Sequence, residues 1–548
     1  MNGLISKILF EGSYILPAET LVLNIGLAFL LSTFVVLALG EGLGGFALFI
    51  LTLVLVIGNI IKLVFHNTVL RPADFALMEE LLIIGVRFIQ PWHIALGVFV
   101  TAVLVFLIIK FRRVILRGII PKPRLGLAIV FLALIVLSDF IINDETKDAD
   151  TKTRLETEGF TVFNYINFRD MFDMYPQEPE GYSEEAMTAL KTEFQGMSDS
   201  NSVTGIQPDV VVVMMESYFD IGSVEGFGLT EDVTKYGRKY NKGYMISPKY
   251  GGGTASTEFE ALTGFSSAFL PEGIVPYNIY MKSGEKEVPS IVREFNKNGY
   301  ETTAVHPSEA DCYSRDKAYN ELGFQRFLTI EDFDVEEREM TEDKMTKDFK
   351  VRDKIFEILE EAESPEFIFA VTFESHCPYY NKYKPEDIEF DAVGEGLSGS
   401  NIKEILQYSR CAEDAAKMVD EICEYVSKRE RPTVVICFGD HLPPLGGFSK
   451  IDYLSDLYQK YSTPIMVYSN YKDIADIPEG YISPSYLASY IINQSEISHS
   501  SYFDFISEAA ETAPILNRDF GIDYNDENVE KYKLLQYDLF FGEKYLKE

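Results

Sequence analysis

Cysteine is scarce in this sequence: five in 548 residues, Cys312, Cys377, Cys411, Cys423 and Cys437, an odd number with no Cys-x-x-Cys pair. That excludes a disulfide scaffold and a cysteine-rich zinc module. It leaves the redox compartment open, so the compartment has to be read from topology. Positive charge is scarce too. The 49 Lys and Arg are outnumbered by 84 Asp and Glu, for a net charge of −35. Nucleic-acid binding needs clustered basic side chains against phosphate, and the polar part of the chain has no such groove, so nucleic acid is excluded as a partner. There are only six His and one Trp.

Long hydrophobic runs are confined to the first 143 residues. Four of them, near 21–39, 46–65, 93–109 and 125–142, are long enough to span a bilayer. The lead before the first run carries Glu11 and Glu19 rather than a basic segment, so no cleavable signal peptide is expected. The connection between the third and fourth runs holds Lys110, Arg112, Arg113, Arg117, Lys122 and Arg124. Positive charge in short loops marks the cytoplasmic side. The fourth span then delivers the rest of the chain to the outside, and segment 71–91, followed by Trp92, becomes an outer loop. The expected organisation is a transmembrane domain over 1–143 with four spans, five being the upper reading, then a charged linker over 144–207 and an extracytoplasmic domain over 208–548.

In that last domain, three apolar runs read as strands buried on both faces: DVVVVMM from Asp209, FIFAVTF (367–373) and TVVICFG (433–439). Between them lie helical patterns at 288–299, 352–363 and 413–429. Strands alternating with helices predict an α/β domain with a doubly wound, mainly parallel sheet. Ligands of such sheets gather beyond the carboxyl ends of the strands. There the sequence places Glu216-Ser217, Glu374-Ser375-His376 and Asp440-His441. Two carboxylates and an imidazole form an oxygen/nitrogen donor set suited to Mn²⁺, Zn²⁺ or Mg²⁺. Residues 250–259, YGGGTASTEF, read as a tight glycine turn opening a helix with Thr254 at its start. Backbone N–H groups there favour an anion, and a metal-bound Thr hydroxyl is a nucleophile near neutral pH. A plain capped turn fits the same letters. His306, Tyr313, Arg315 and His376 are the substrate-binding candidates, with Arg315 offering a planar fork to phosphate oxygens. His499, in SEISHSS, reads as surface.

The segments PDVVVVMMESYFD, GGGTASTEFEALTG, HPSEADCYSRDKAYNELGF, ESHCPY and CFGDH come in this order. Together they resemble the lipoteichoic acid synthase family of phosphoglycerol transferases, within the alkaline phosphatase and sulfatase superfamily. The resemblance covers most of 208–545 and, more loosely, the membrane half. It implies a metal, typically Mn²⁺, on Glu216, Thr254, Asp440 and His441. It implies that Thr254 attacks phosphatidylglycerol, releases diacylglycerol and carries the glycerol phosphate. The acceptor would be a polyglycerolphosphate, glycolipid or glycan, and the setting the membrane of a Gram-positive bacterium. His306, Arg315 and His376 fall where the family holds glycerol phosphate. The nucleophile turn departs from the family's Gly-Lys-Thr-Ser, and Tyr313 stands where a Trp is common; both departures leave the acceptor open.

Rival readings are separable. A sulfatase needs a C/S-x-P-x-R segment to make formylglycine, and Cys377-Pro378-Tyr379 does not supply it. A phosphoethanolamine transferase shares the fold and the Thr but normally carries disulfides. A phosphodiester hydrolase differs only in using water to resolve the intermediate. A non-catalytic sensor would have lost a metal ligand.

Overall fold

The computed structural model describes residues 16–66, 110, 122–139, 142, 157–170, 174–197, 205–224, 226–284, 286–448 and 451–546. The expected third span at 93–109, segment 71–91, Trp92 and the basic stretch 111–121 lie outside them. The chain divides into two compact units, 1–174 and 175–548.

In the first unit the apolar runs form helices: α1 (Ala18–Leu39), α2 (Glu41–His66) and α3 (Lys122–Asp139). Of these, α1 is long and apolar enough to cross a membrane; the apolar stretches Glu41–Leu55 and Gly126–Ser138 are shorter. Leu21, Val22, Ile25 and Phe29 on α1 stay exposed, an outward apolar face that water does not reward. The buried polar residue of α1, Asn24, has a local purpose. Its Oδ1 accepts from Thr161 N (2.8 Å) and Val162 N (3.2 Å), and its Nδ2 donates to Glu158 O (2.7 Å). It thereby satisfies the opening turn of α4 (Phe160–Asp170), whose first N–H groups have no partner within the helix.

The second unit begins with α5 (Glu184–Met197), which packs against α12 (Ser501–Thr512) and α13 (Glu527–Phe540). Its core is an eight-stranded sheet in the order β10-β3-β9-β8-β1-β6-β4-β5. The β-branched run Asp209–Met215 is β1, buried at every position. It lies in parallel between β6 (Glu366–Val371) and β8 (Thr433–Gly439), with Val212 level with Phe369 and Ile436. Each fully buried Val contributes about 1.5–3 kcal/mol, so this triplet anchors the fold. Then β4 (Glu301–Val305) and β5 (Arg326–Leu328) extend it in parallel. On the other side β9 (Ser462–Ser469) runs against both β8 and β3 (Asn241–Ile246), and β10 (Tyr481–Ile482) closes the edge. A separate pair, β2 (Phe227–Leu229) and β7 (Ala392–Gly394), is antiparallel.

Alternate strand residues feed two faces. Val211, Val213, Ile368 and Val435 join Ile355 of α9 (Asp348–Glu361) and Ile405, Ala412 and Val419 of α10 (Gly399–Ser427) in one cluster. Across the sheet, Phe367 of β6 stacks on Phe295 of α7 (Ile291–Lys297), ring centroids 4.1 Å apart, and α11 (Pro484–Ser495) packs on β8. Helices therefore cover both faces, as alternating strands and helices predict. The long helix expected at 413–429 starts earlier, at Gly399. Ser398 and Asn401 form a reciprocal capping box that opens it, and the small, polar stretch after them hides its apolar side.

Candidate metal centre and nucleophile

The carboxyl ends of β1 and β8 lie side by side because Met215 and Gly439 share a register. The next residue of each strand is the one that matters. Glu216, Asp440 and His441 are all buried, and one donor atom from each lies within 4.8 Å of the others. His441 Nε2 is 3.7 Å from Glu216 Oε1 and 3.3 Å from Asp440 Oδ2. Thr254 completes the group. Its Oγ1 is 3.3 Å from Glu216 Oε2 and 3.4 Å from His441 Nε2. For bonds of about 2.1 Å, a tetrahedral metal separates its ligand atoms by about 3.4 Å.

Close approach makes this possible. A Cβ on Gly439 would sit 1.8 Å from Tyr218 O, so only glycine lets the turn after β1 pass over the end of β8. Ser217 lies at φ 52°, a left-handed conformation that costs a side-chain-bearing residue roughly 1–2 kcal/mol. The turn aims Ser217 N at Asp440 Oδ1 (2.7 Å) and lets Ser217 Oγ donate to Glu216 Oε1 (2.9 Å). With His441 N also donating to Asp440 Oδ1 (2.8 Å), one carboxylate oxygen is fully engaged. The other, Asp440 Oδ2, is buried with no hydrogen-bond partner. An orphaned carboxylate oxygen facing an imidazole nitrogen and a second carboxylate is what a divalent cation would satisfy. His441 Nδ1 donates to Leu442 O (3.0 Å), which leaves Nε2 as the lone-pair nitrogen.

Burial pushes the Asp440 carboxyl up to about 7, with Glu216 adding to the rise and His441 opposing it. Burial would raise Glu216 as well. His376, His441, the Ser217 hydroxyl and Arg315 outweigh it and hold that carboxyl below its ordinary value.

Thr254 opens α6 (Thr254–Thr263), a helix buried throughout. Gly251, Gly252 and Gly253 all have positive φ. At Gly253 (φ 98°) an added Cβ would also meet Lys249 Cγ at 2.7 Å. The helix is pinned to β8 by Thr257 Oγ1, which donates to Asp440 O (3.0 Å).

The four substrate-binding candidates gather from three further elements. His306 follows β4 and donates from Nδ1 to Val371 O (3.1 Å); His376 follows β6 and donates from Nδ1 to Cys377 O (2.8 Å). Each keeps Nε2 as an acceptor. Burial lowers the values of both imidazoles, strengthened at His306 by Arg315 and opposed at His376 by Glu216. Tyr313 and Ser314 both have positive φ (57° and 56°) and set up the start of α8 (Arg315–Leu322). The Arg315 guanidinium lies 5.3 Å from the Tyr313 ring centroid. Burial raises the Tyr313 phenol, and Glu216 and Asp440 add to the rise.

Two features were not read from the sequence as parts of the site. Glu258 holds Arg315 through Nε (3.1 Å) and Nη2 (3.0 Å), both residues being buried. Its signal was the four-residue spacing from Thr254, which places both on one helix face. Ser217 carried no signal beyond following Glu216. Glu374, by contrast, turns away from the metal group. It accepts from Asp348 N (2.8 Å) and from the Tyr383 hydroxyl, so His376 is the residue of that strand end coupled to Glu216. His499 pairs with Asp504 (3.0 Å) far along the chain. All five cysteines are free.

Residues 208–497 match the sulfatase family. A Rhizobium meliloti (strain 1021) protein named for cyclic beta-1,2-glucan modification is 30% identical over 371 residues, 62% of this chain and 56% of that protein. An uncharacterized Haemophilus influenzae protein is 26% identical over 306 residues, 50% of this chain and 51% of its own length. The chain thus spans about half the length of these curated relatives. Among solved structures, Streptococcus pyogenes phosphoglycerol transferase GacH in complex with sn-glycerol-1-phosphate superposes with a TM-score of 0.59 at 22% identity, covering 68% of this chain and 97% of that one. That likeness is one of fold. With more than half of its residues matched, and with the parallel sheet already traced, this chain belongs to the sulfatase family.

Proposed function

We propose that this chain is a membrane-anchored phosphoglycerol transferase that moves glycerol phosphate from phosphatidylglycerol, through Thr254, to a hydroxyl acceptor. The observation that carries the reading is the place of Thr254 Oγ1, within 3.4 Å of both Glu216 and His441 at the start of a glycine-preceded helix. Glu216, Asp440, His441 and Thr254 would hold Mn²⁺, with Zn²⁺ or Mg²⁺ fitting the same donors; the ion would lower the pKa of the Thr hydroxyl and neutralise phosphate charge.

The chain's own residues do the rest. Thr254 Oγ1 forms a bond to phosphorus as the bond to the diacylglycerol oxygen breaks, and that oxygen leaves with the proton. Arg315 orients phosphate oxygens. The Nε2 atoms of His306 and His376, left open by the Nδ1 contacts to Val371 O and Cys377 O, accept hydrogen bonds from glycerol hydroxyls. An acceptor hydroxyl then attacks phosphorus, the bond to Thr254 breaks, and its proton returns to Thr254. The GacH complex with glycerol phosphate supports the transferred group, and the glucan-modifying relative favours a glycan over a lipid-linked polymer as acceptor. The long apolar helix α1 supports a membrane anchor, and the basic residues after 109 favour a catalytic unit outside.

Mass spectrometry of the Mn²⁺-loaded chain after incubation with phosphatidylglycerol is the test. One glycerol phosphate on Thr254 and released diacylglycerol are expected. Thr254→Ala is expected to fold, since alanine is a strong helix former at the start of α6, and to lose at least ~10³-fold in diacylglycerol release. Release at the wild-type rate from that variant would discard the nucleophile.

A further inference from the structure

Arg315 was expected as a free fork for phosphate, yet it is not free. Glu258 occupies the edge formed by Nε and Nη2, with contacts of 3.1 and 3.0 Å. Both side chains are buried, 2% and 0% exposed, so neither charge is screened by water. The pair also sits against the site. Arg315 acts electrostatically on Glu216 and His306 and packs near the Tyr313 ring. Glu258 rides on α6, one turn after Thr254, so helix geometry ties the carboxylate to the nucleophile.

Charge in this buried region is therefore nearly balanced. A divalent cation would meet Glu216 and Asp440, and Arg315 already meets Glu258. Such a site holds no surplus positive charge, so every negative charge on the substrate adds to the cost and a dianion is disfavoured more than a monoanion. A phosphodiester carries one negative charge and a phosphomonoester close to two at pH 8. From this balance, and resting on the phosphodiester reading above, we infer that Glu258 is a specificity-determining positioning residue: by occupying one edge of Arg315 and cancelling its charge, it makes the site favour diester monoanions over monoester dianions. The consequence is chemical as well as selective. The site would hold a lipid or glycan phosphodiester more tightly than free phosphate or a phosphomonoester.

The test compares binding of methyl phosphate and dimethyl phosphate to the full, Mn²⁺-loaded chain by calorimetry at pH 8. Glu258→Gln keeps the size of the side chain and one acceptor but removes its charge. The ratio of the two dissociation constants is expected to move roughly tenfold or more toward methyl phosphate, since one uncompensated buried charge acts on one extra ligand charge. Glu258→Asp keeps the charge and is expected to retain the wild-type ratio within about threefold, even where its shorter reach weakens both ligands alike. Should Glu258→Gln fail to fold, Glu258→Ser, which leaves room for water beside Arg315, gives the same readout. An unchanged ratio in the neutral variants, or an equal shift in Glu258→Asp, overturns the inference and leaves only a structural salt bridge. Because binding is read and not turnover, a missing adduct on Thr254 would overturn the transferase reading separately.

Discussion

Ser217 shows how much a single residue contributes to this site. Its left-handed backbone delivers one N–H to Asp440 and its hydroxyl secures Glu216, so one residue orients two candidate metal ligands. Groups of this kind tune metal affinity from outside the coordination sphere, typically by 10–100-fold. Ser217→Gly separates the two roles. Glycine relieves the positive φ and keeps the N–H bond to Asp440, but loses the hydroxyl. The metal-free variant is expected to melt at or slightly above the wild-type temperature, while its Mn²⁺ dissociation constant rises about tenfold. Isothermal titration of Mn²⁺ alongside melting curves checks both halves. Unchanged affinity would reduce Ser217 to a turn residue.

At the scale of elements, the central strands were legible and the side chains around them only partly so. Runs such as DVVVVMM and TVVICFG are β-branched and apolar without alternation, which marks strands covered on both faces. Their last residues then had to meet at one edge. Glu374 was not legible in the same way. It too follows a central strand, but which way a residue points after a strand depends on the next turn, and here Asp348 N and the Tyr383 hydroxyl draw it aside. Likewise Glu258 looked like any helical Glu, because its partner Arg315 comes from an element 57 residues on. Sequence spacing reports faces of one element and is silent on pairs between elements.

Two predictions belong to this scale. Gly439→Ala puts a Cβ into Tyr218 O, a backbone atom that cannot turn aside. Overpacking of this kind costs at least ~1–3 kcal/mol, and the strain falls where Asp440 leaves β8. A lower melting temperature together with weakened Mn²⁺ binding is expected from calorimetry; loss of neither would mean the turn after β1 moves freely. The second concerns Asp348 at the start of α9 and Glu374 after β6. Burial, then Asp414, pushes Asp348 up to about 7; burial, Asp414 and Asp348 raise Glu374 too. A carboxyl with a raised folded value keeps a proton that the unfolded chain releases near pH 4. Its stabilisation is therefore fully present below about pH 4 and lost as pH rises through about 7. Melting should be higher at pH 5.5 than at pH 8, and Glu374→Gln, which carries no titrating proton, should shrink that difference. An equal pH response in the variant would place the titration elsewhere, for example at buried Glu260, also near 7.

For the whole molecule, the two units divide the proposed work. The candidate nucleophile, the candidate ligands and the candidate substrate-binding residues all lie within 175–548, and the sheet that positions them draws its strands from that unit. The apolar helices lie within 1–174, where α1 carries exposed Leu, Val, Ile and Phe side chains suited to lipid. Chemistry and membrane contact should then separate on cutting. A tether raises the effective concentration of a site near a lipid surface and leaves its intrinsic reactivity alone. The segment 175–548 is accordingly expected to cleave a soluble diester, bis-p-nitrophenyl phosphate, within about threefold of the full chain's kcat/KM. On phosphatidylglycerol vesicles it should fall by more than about tenfold, at millimolar-scale tethering. Equal retention on both substrates would remove the anchor from the mechanism. Equal loss on both, with an intact melting transition, would mean that residues 1–174 supply part of the reactive site itself and not just its location.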